Sequence, residues 1–133
     1  MDAKELLSYS LLPENPKLPP EDKALWLAAL RDGSHAQSTG ALRTTTGFCC
    51  LGVYCDVKGA KWLERGDHFT TESGAGWFLG WQEIGHDATA ALQAETTYRD
   101  IDDSPVNVMK LLSAANDQGA SFAQIADWIE KNL

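Results

Sequence analysis

The sequence predicts a single α+β domain, in which three or four helices pack on a small, mainly antiparallel sheet. Three observations favour this class: helical periods near both ends of the chain, a Thr-rich extended run before a short apolar helix, and glycines set among aromatic residues in the middle. With 133 residues, 44% of them apolar, the chain is long enough for one such domain and its core.

Residues 1–19 are predicted to form a short N-terminal helix and a proline-rich tether, ahead of the domain at residues 20–133. Leucines recur within residues 2–12, whereas prolines at 13, 16, 19 and 20 exclude regular structure in the segment that follows. We expect the N-terminal segment to pack on the domain or to exchange with a neighbouring copy, which would make a homodimer.

The first helix of the domain is predicted to begin at Pro20 and to stop at Gly33. Proline is favoured at the first helical position, where its missing N–H costs nothing, and acidic Glu21 and Asp22 suit the positive end of the helix dipole. Apolar residues then recur on one face, as in a helix that packs against a core.

Residues 40–56 are predicted to be the central stretch of the chain. The Thr-rich run Ala41–Thr46 is typical of a strand, Gly47 breaks it, and a short buried helix follows from about Cys49 to near Gly59. The small residue Gly52 would let another element approach this helix closely.

The rest of the chain is predicted to alternate short strands and helices. Lys61–Trp81 favours short strands and tight turns, such as a hairpin, and Ala88–Ala94 favours one or two helical turns. Val106–Ala115 is predicted to be helical, and a second C-terminal helix begins with a capping box between Ser121 and Gln124.

Composition excludes several classes of function. A net charge of −8 argues against direct nucleic-acid binding, which needs a basic face, and fits a small-molecule or basic protein partner. No apolar run approaches the ~20 residues that span a bilayer, and no secretory signal is recognisable. Three cysteines bunched within seven positions make a poor disulfide framework, so we expect a cytoplasmic protein with reduced thiols.

Arg43, just ahead of a helix start, is the centre of the predicted ligand site. Free N–H groups at a helix N-terminus attract anions, and an arginine can bind a phosphate or carboxylate through two parallel hydrogen bonds. The stretch lacks the Gly-Lys-Ser/Thr of a P-loop. The alternative is that Arg43 pairs with an acidic neighbour such as Asp56.

The cysteines admit a second, catalytic interpretation. A thiol at a helix N-terminus has a lowered pKa, and His35, His68 or His86 could serve as its base. Cysteine is also among the most buried residue types, which favours core packing. No catalytic residue is therefore assigned, and no cofactor is expected.

A metal site is not predicted either. Cys50 and Cys55 lie roughly 140° apart around a helix and do not converge on one ion. Aspartates at 100, 102 and 103 form an acidic cluster without the glycine and distal glutamate of a calcium loop, so an ordinary solvated loop is favoured. Trp77 and Trp81 can stack on a base or sugar, or anchor the core.

Two stretches resemble a family of small proteins of tailed bacteriophages and prophages. One joins a Trp-containing helix ending in Ala-Leu-Arg-x-Gly to Gly-x-Leu-Arg and Gly-[Phe/Tyr]-Cys-Cys-Leu-Gly-Val-x-Cys-Asp. The other is a C-terminal Asn-Asp-x-Gly-x-Ser-Phe-x-x-Ile-Ala-Asp motif. The matching residues here are Trp26, Ala29–Gly33, Gln37, Gly40–Arg43, Gly47–Asp56, Asn116–Phe122 and Ile125–Ile129.

The resemblance covers about half of the chain and implies a viral or prophage origin and action inside a bacterial cell. It carries no known activity. His35-Ala36, where the family often has an aromatic and a basic residue, and Ala115, in place of leucine, depart from the pattern, and Lys61–Pro105 matches none of it. The shared polar residues exceed what a core needs, which indicates a pocket. The predicted ligand-binding residues are Arg31, Gln37, Gly40, Arg43, Cys49, Cys50, Asn116 and Asp117.

The function expected from these observations is non-enzymatic. A phage accessory protein would act against host defence by binding and sequestering a small anionic ligand such as a nucleotide-derived immune signal. The alternatives are an acidic inhibitor that binds a host protein and a cysteine-dependent enzyme.

Overall fold

The computed structural model describes residues 2–72 and 81–133. The helices are α1 (Ala3–Leu6), α2 (Pro20–Arg31), α3 (Cys50–Val57), α4 (Trp81–Ile84), α5 (His86–Gln93), α6 (Val108–Asp117) and α7 (Phe122–Asn132). The strands are β1 (Arg43–Thr44), β2 (Gly47–Phe48), β3 (Trp62–Arg65), β4 (His68–Thr71), β5 (Glu95–Arg99) and β6 (Pro105–Asn107).

The α+β class and the antiparallel pairing are confirmed. One sheet has the strand order β2-β1-β4-β3, and a separate ladder joins β5 to β6, with every pair antiparallel. The short N-terminal helix expected within residues 2–12 is present as the single turn α1. The helices are more numerous than the three or four expected, and one that was not expected is the single turn α4, whose four residues are too short to show a sequence period.

The core lies among the helices rather than under the sheet. Helix α6 contacts α1, α3, α5 and α7, and its Leu111, Leu112 and Ala115 are fully buried. Helices α2 and α3 meet through stacked rings of Trp26 and Tyr54, whose centroids are 4.6 Å apart. This packing leaves the four-stranded sheet at one side of the molecule, joined to α3 through β2.

The helices predicted from caps and periods are confirmed. Pro20 is the first residue of α2, Ser121 and Gln124 form both hydrogen bonds of the capping box of α7, and α3 follows Cys49 directly. Helix α6 begins two residues later than predicted, because Asn107 caps it and Pro105–Asn107 is a strand.

The prediction of one strand at Ala41–Thr46, broken by Gly47, is wrong in its extent. The chain turns between Thr44 and Gly47, so that β1 pairs with β2 in a two-residue hairpin. The hydroxyl of Thr44 accepts from the Thr46 N–H at 3.2 Å, which stabilises this turn. Gly47 begins the returning strand, where a Cβ would lie 2.5 Å from the carbonyl oxygen of Ala36.

The expected hairpin within Lys61–Trp81 is formed by β3 and β4, which turn at Gly66 and Asp67. The part of this prediction that concerns Trp77 and its neighbours lies outside the described residues. Within the described ranges, no helix is long and apolar enough to cross a membrane.

The N-terminal segment packs on the domain of its own chain. Leu6, Leu11 and Leu18 are buried in the core. The indole N–H of Trp128 donates to the Tyr9 carbonyl at 2.7 Å, and Leu11 bridges to Thr96 of β5. The proline-rich residues thus lead from a segment held by α7 and β5 into α2.

Candidate functional site

The structure does not bring the eight predicted ligand residues to one place. Arg31 lies on the surface between α2 and α7, where its guanidinium donates to Asp127 at 2.9 Å and to Glu130 at 3.2 Å. Hydrogen bonds to Glu130 and Asp127 raise the pKa of Arg31 above its usual value. Arg31 therefore serves helix pairing in this structure.

Asn116 is fully buried at the end of α6, and its side chain forms hydrogen bonds with three other residues. Its amide oxygen accepts from the Gln37 side chain at 2.9 Å and from the Cys50 N–H at 3.2 Å, and its amide nitrogen donates to the Ser38 carbonyl at 2.9 Å. Gln37 also donates to the Ala120 carbonyl at 2.7 Å. These polar groups satisfy one another, which is what a buried amide requires.

Gly40 and Asp117 line a cavity of about 240 Å³ between α6 and the segment that leads into β1, residues 40–42. The Asp117 carboxylate accepts from the Gly40 N–H at 3.2 Å. The other lining residues are Ala41, Leu42, Cys49, Leu51 and Ser113. Of the lining residues that the structure describes, Asp117 alone is charged, so the cavity does not suit an anion.

Cys49 and Cys50 are packing residues at the start of α3. The Cys49 sulfur accepts from the Gly52 N–H at 3.4 Å and so caps the helix. The lowered pKa expected at a helix N-terminus is not found, because burial raises the pKa of the Cys49 thiol to about 11 and that of Cys50 well above its usual value. Both thiols stay protonated at neutral pH, so they are poor nucleophiles.

Arg43 stands apart from the other predicted residues, at the centre of an aromatic cluster. Its guanidinium carbon lies 5.0 Å from the ring centroid of Phe48, 5.7 Å from that of Trp62 and 4.6 Å from that of Phe69. We call these four residues the Arg43 cluster. The distances are those of cation–π contacts.

The register of the sheet creates this cluster. Arg43 on β1 lies opposite both Phe48 on β2 and Phe69 on β4, so all three side chains share one face. Trp62 reaches the same face from β3, where Glu64 lies opposite Phe69. Three strands are thus needed to surround one guanidinium.

The alternative that Arg43 pairs with Asp56 is wrong. Asp56 accepts instead from the Trp62 indole N–H at 3.0 Å, and His35 Nε2 lies 2.8 Å from its other oxygen. Within the described ranges, Arg43 forms no ion pair.

A chain of three polar side chains beside the Arg43 cluster was missed by the sequence reasoning. The Ser34 hydroxyl lies 2.8 Å from His35 Nδ1, and His35 Nε2 lies 2.8 Å from Asp56. The imidazole also packs edge-on against Phe48, with centroids 4.9 Å apart. No local signal joins His35 to a carboxylate 21 positions away, although Ser34 and His35 are adjacent.

A second polar group joins α2 to the end of α3, and it is formed by buried Asp22 and Tyr54 with exposed Lys58. The Tyr54 hydroxyl donates to Asp22 at 2.6 Å, and Lys58 donates to the other oxygen at 2.9 Å. Burial, followed by the Asp22 contact, raises the pKa of Tyr54 above its usual value. Both oxygens of Asp22 are occupied from within the molecule, so this cluster stabilises helix packing.

The acidic cluster forms the loop between β5 and β6. Asp100 accepts from the Ile101 N–H at 2.8 Å and Asp102 from the Ser104 N–H at 3.1 Å, so the loop is closed by its own backbone. Hydrogen bonds from Ile101 and then Lys110 lower the pKa of Asp100. Among the described residues, no group of three or more His, Cys, Asp or Glu side chains can hold a metal ion.

Comparison with known proteins places the chain in a family through one match. No curated protein and no solved structure matches it. A family model described as "Domain of unknown function (DUF8296)" matches residues 18–133, which include both the Arg43 cluster and the chain from Ser34 to Asp56. Because the match covers most of its length, the chain belongs to the DUF8296 family.

Proposed function

We propose that the protein binds a small anionic ligand of the nucleotide class at the Arg43 cluster and acts by sequestering it. One observation carries the proposal. In an acidic chain, a half-buried arginine is held by three aromatic rings and by no described carboxylate.

The rings occupy none of the hydrogen-bonding capacity of the guanidinium with an acidic partner. Its five N–H donors meet no carboxylate among the described residues. A carboxylate or phosphate that reaches the group can accept two parallel hydrogen bonds from it. The rings also fix the side chain in advance, which lowers the entropy lost on binding.

The aromatic surroundings, rather than the lack of an ion pair, distinguish Arg43 in this acidic molecule. Asp and Glu outnumber Lys and Arg by 19 to 11, yet among the described Lys and Arg side chains only Arg31, Lys58 and Lys110 are paired with a carboxylate. Glu64 shares the face of the Arg43 cluster but lies two strands away from Arg43. A site that attracts an anion within a repulsive field must do so at short range, which favours specific contact over steering.

The resemblance to tailed-phage and prophage proteins supplies the biological setting of the proposal. A phage accessory protein working in a bacterial cell can act on host defence by removing a nucleotide-derived signal. Sequestration of this kind needs binding and no chemical step.

Isothermal titration of the protein with mononucleotides, cyclic nucleotides and inorganic phosphate tests the proposal. We expect heat with at least one nucleotide, and an affinity at least tenfold lower in Arg43→Ala, since a hydrogen bond to a charged group contributes about 1.5–3 kcal/mol. Arg43→Lys should fall between the two, because it keeps the charge and loses the fork of donors.

Arg65→Ala is the matched control. Arg65 lies on β3 of the same sheet, exposed and on the face opposite to that of Trp62, and its removal changes the net charge equally. Equal weakening by both variants would attribute the effect to overall charge. No heat with any compound would overturn the proposal and favour a protein partner, for which Ile101, fully exposed amid three aspartates, is a feature of the described surface.

A further inference from the structure

We infer that Ser34 is a nucleophile for acyl esters, with His35 as its general base and Asp56 as the group that orients the base. The inference goes beyond the binding function proposed above and does not depend on it. It rests on the geometry of the three side chains.

The hydrogen bonds of Asp56 define which nitrogen of His35 carries the proton. A carboxylate only accepts, so its contact with His35 Nε2 at 2.8 Å requires an N–H on that nitrogen. In the neutral ring, Nδ1 is then the acceptor, and it lies 2.8 Å from the Ser34 hydroxyl. The hydroxyl therefore donates to a basic nitrogen, as in a hydrolytic triad with the two ring nitrogens exchanged.

Packing and hydrogen bonds fix the orientation of the His35 ring. Phe48 packs edge-on against it, and the side chain of His35 is only 11% exposed. The Trp62 indole N–H occupies the other oxygen of Asp56 at 3.0 Å, which fixes the carboxylate. By contrast, Ser34 is exposed, so a substrate can reach its oxygen.

Asp32 is the second acceptor near Ser34, and it is the weaker base. Its carboxylate accepts from the Ser34 N–H at 2.8 Å. Hydrogen bonds from Ser34 lower the pKa of Asp32, and a carboxylate is in general less basic than an imidazole. During attack, the hydroxyl proton is therefore expected to pass to His35, while Asp32 holds the backbone of Ser34.

A backbone donor for the developing oxyanion is also at hand. In several hydrolases the N–H of the residue after the nucleophile serves this purpose. Here that residue is His35, whose N–H donates to no acceptor in the part of the chain that the structure describes.

The reaction balances without a further reagent. The Ser34 oxygen forms a bond to the carbonyl carbon of an ester as its proton moves to His35 Nδ1. The intermediate then collapses, the carbon–oxygen bond of the alcohol breaks, and the alcohol leaves with the proton from Nδ1. A water molecule, deprotonated in the same way, releases the acid and restores the hydroxyl.

Labelling with a fluorophosphonate, followed by peptide mass spectrometry, tests this inference. We expect modification of Ser34. In His35→Gln, which removes the base with little change of volume, the labelling rate should fall by about 100-fold or more. Asp56→Asn should also slow labelling strongly. The Trp62 N–H keeps the amide oxygen, so the amide NH2 faces Nε2 and favours the ring with its proton on Nδ1, which cannot accept from Ser34. Slow release of p-nitrophenol from p-nitrophenyl acetate, with the same dependence on Ser34 and His35, provides a second readout.

Ser8 is an internal control, because it is exposed and its hydroxyl donates to the Glu5 carbonyl at 2.6 Å, with no imidazole beside it. Circular dichroism of each variant shows whether the fold is kept. If His35→Gln fails to fold, the ratio of Ser34 to Ser8 labelling in the unmodified protein decides. Labelling of Ser34 no faster than that of Ser8, or unaffected in a folded His35→Gln, would overturn the inference.

Discussion

Asn116 shows how much one buried amide can hold. Its three hydrogen bonds connect the end of α6 to the loop before β1 and to the first turn of α3. These partners are two backbone groups and the Gln37 side chain, which also donates to the Ala120 carbonyl. At the scale of the residue, the polar excess of the sequence is explained by such internal pairing as well as by the Arg43 cluster.

We expect Asn116→Ala to lower the free energy of unfolding by on the order of 3 kcal/mol. The change leaves the Cys50 N–H and the Ser38 carbonyl without partners, and each orphaned buried group costs about 1–3 kcal/mol. Urea unfolding followed by fluorescence measures the loss.

Gln37→Ala is the comparison for this prediction. It removes one donor to Asn116 and leaves the two backbone contacts of Asn116 intact. Its effect should be clearly smaller, and an equal or larger loss in Gln37→Ala would show that Asn116 does not carry the linkage.

Among the elements, α3 is positioned by its glycine. A Cβ on Gly52 would lie 1.8 Å from the carbonyl oxygen of Leu42, and that same oxygen accepts from the Cys49 N–H at 3.0 Å. The close approach predicted from small residues is therefore confirmed. It places Leu42, which directly precedes Arg43 and β1, against the first turn of the helix.

Gly52→Ala should destabilise the protein by about 3 kcal/mol, the upper end of the cost of overpacking, although alanine is the better helix former. Thermal unfolding by circular dichroism measures the change. Gly119→Ala makes the same chemical change where nothing lies within 4 Å and only the backbone, at φ +100°, is strained. A lower melting temperature for Gly119→Ala than for Gly52→Ala would contradict the steric argument.

Local signals account for the elements that the sequence predicts correctly. Pro20, the Ser121–Gln124 capping box and the period of α7 act within one helix, so no distant partner is needed to recognise them. The turn between β1 and β2 depends on a hydrogen bond from the Thr46 N–H to the Thr44 hydroxyl. A Thr-rich run does not by itself show that such a bond will form, so the sequence does not predict the turn.

The candidate site is predictable only in part, for the same reason. Arg43 is recognisable as an arginine ahead of a helix start. Its neighbours Phe48, Trp62 and Phe69 come from three other strands, and their shared face follows from a register that a single sequence does not show. His35 and Asp56 meet only after α3 has packed.

At the scale of the whole molecule, the core includes residues that precede the range matched by the family model. Residues 18–133 match the family model, yet Leu6 and Leu11 are buried, and Ser10 and Thr97 exchange two hydrogen bonds at 2.8 and 3.0 Å. The predicted tether therefore connects two parts of one packed unit.

A fragment that begins at Leu18 should be much less stable than the full chain. Burying a leucine contributes about 1.5–3 kcal/mol, against a total of about 5–15 kcal/mol for a typical domain. We expect a lower melting temperature and binding of a hydrophobic dye, both reversed in part by a peptide of residues 2–17. Identical melting of the fragment and the full chain would show that the N-terminal segment contributes no stability.

Trp62 gives the molecule an optical reporter of its own. Its indole faces a guanidinium on one side and donates its N–H to Asp56 on the other, so its emission depends on both groups. Trp26 and Trp128, by contrast, are buried and donate their indole N–H groups to the carbonyls of Cys50 and Tyr9. A compound that draws Arg43 away from the ring, or a substrate that perturbs the Asp56 linkage, would therefore shift the emission of Trp62, and that shift would vanish in Trp62→Phe.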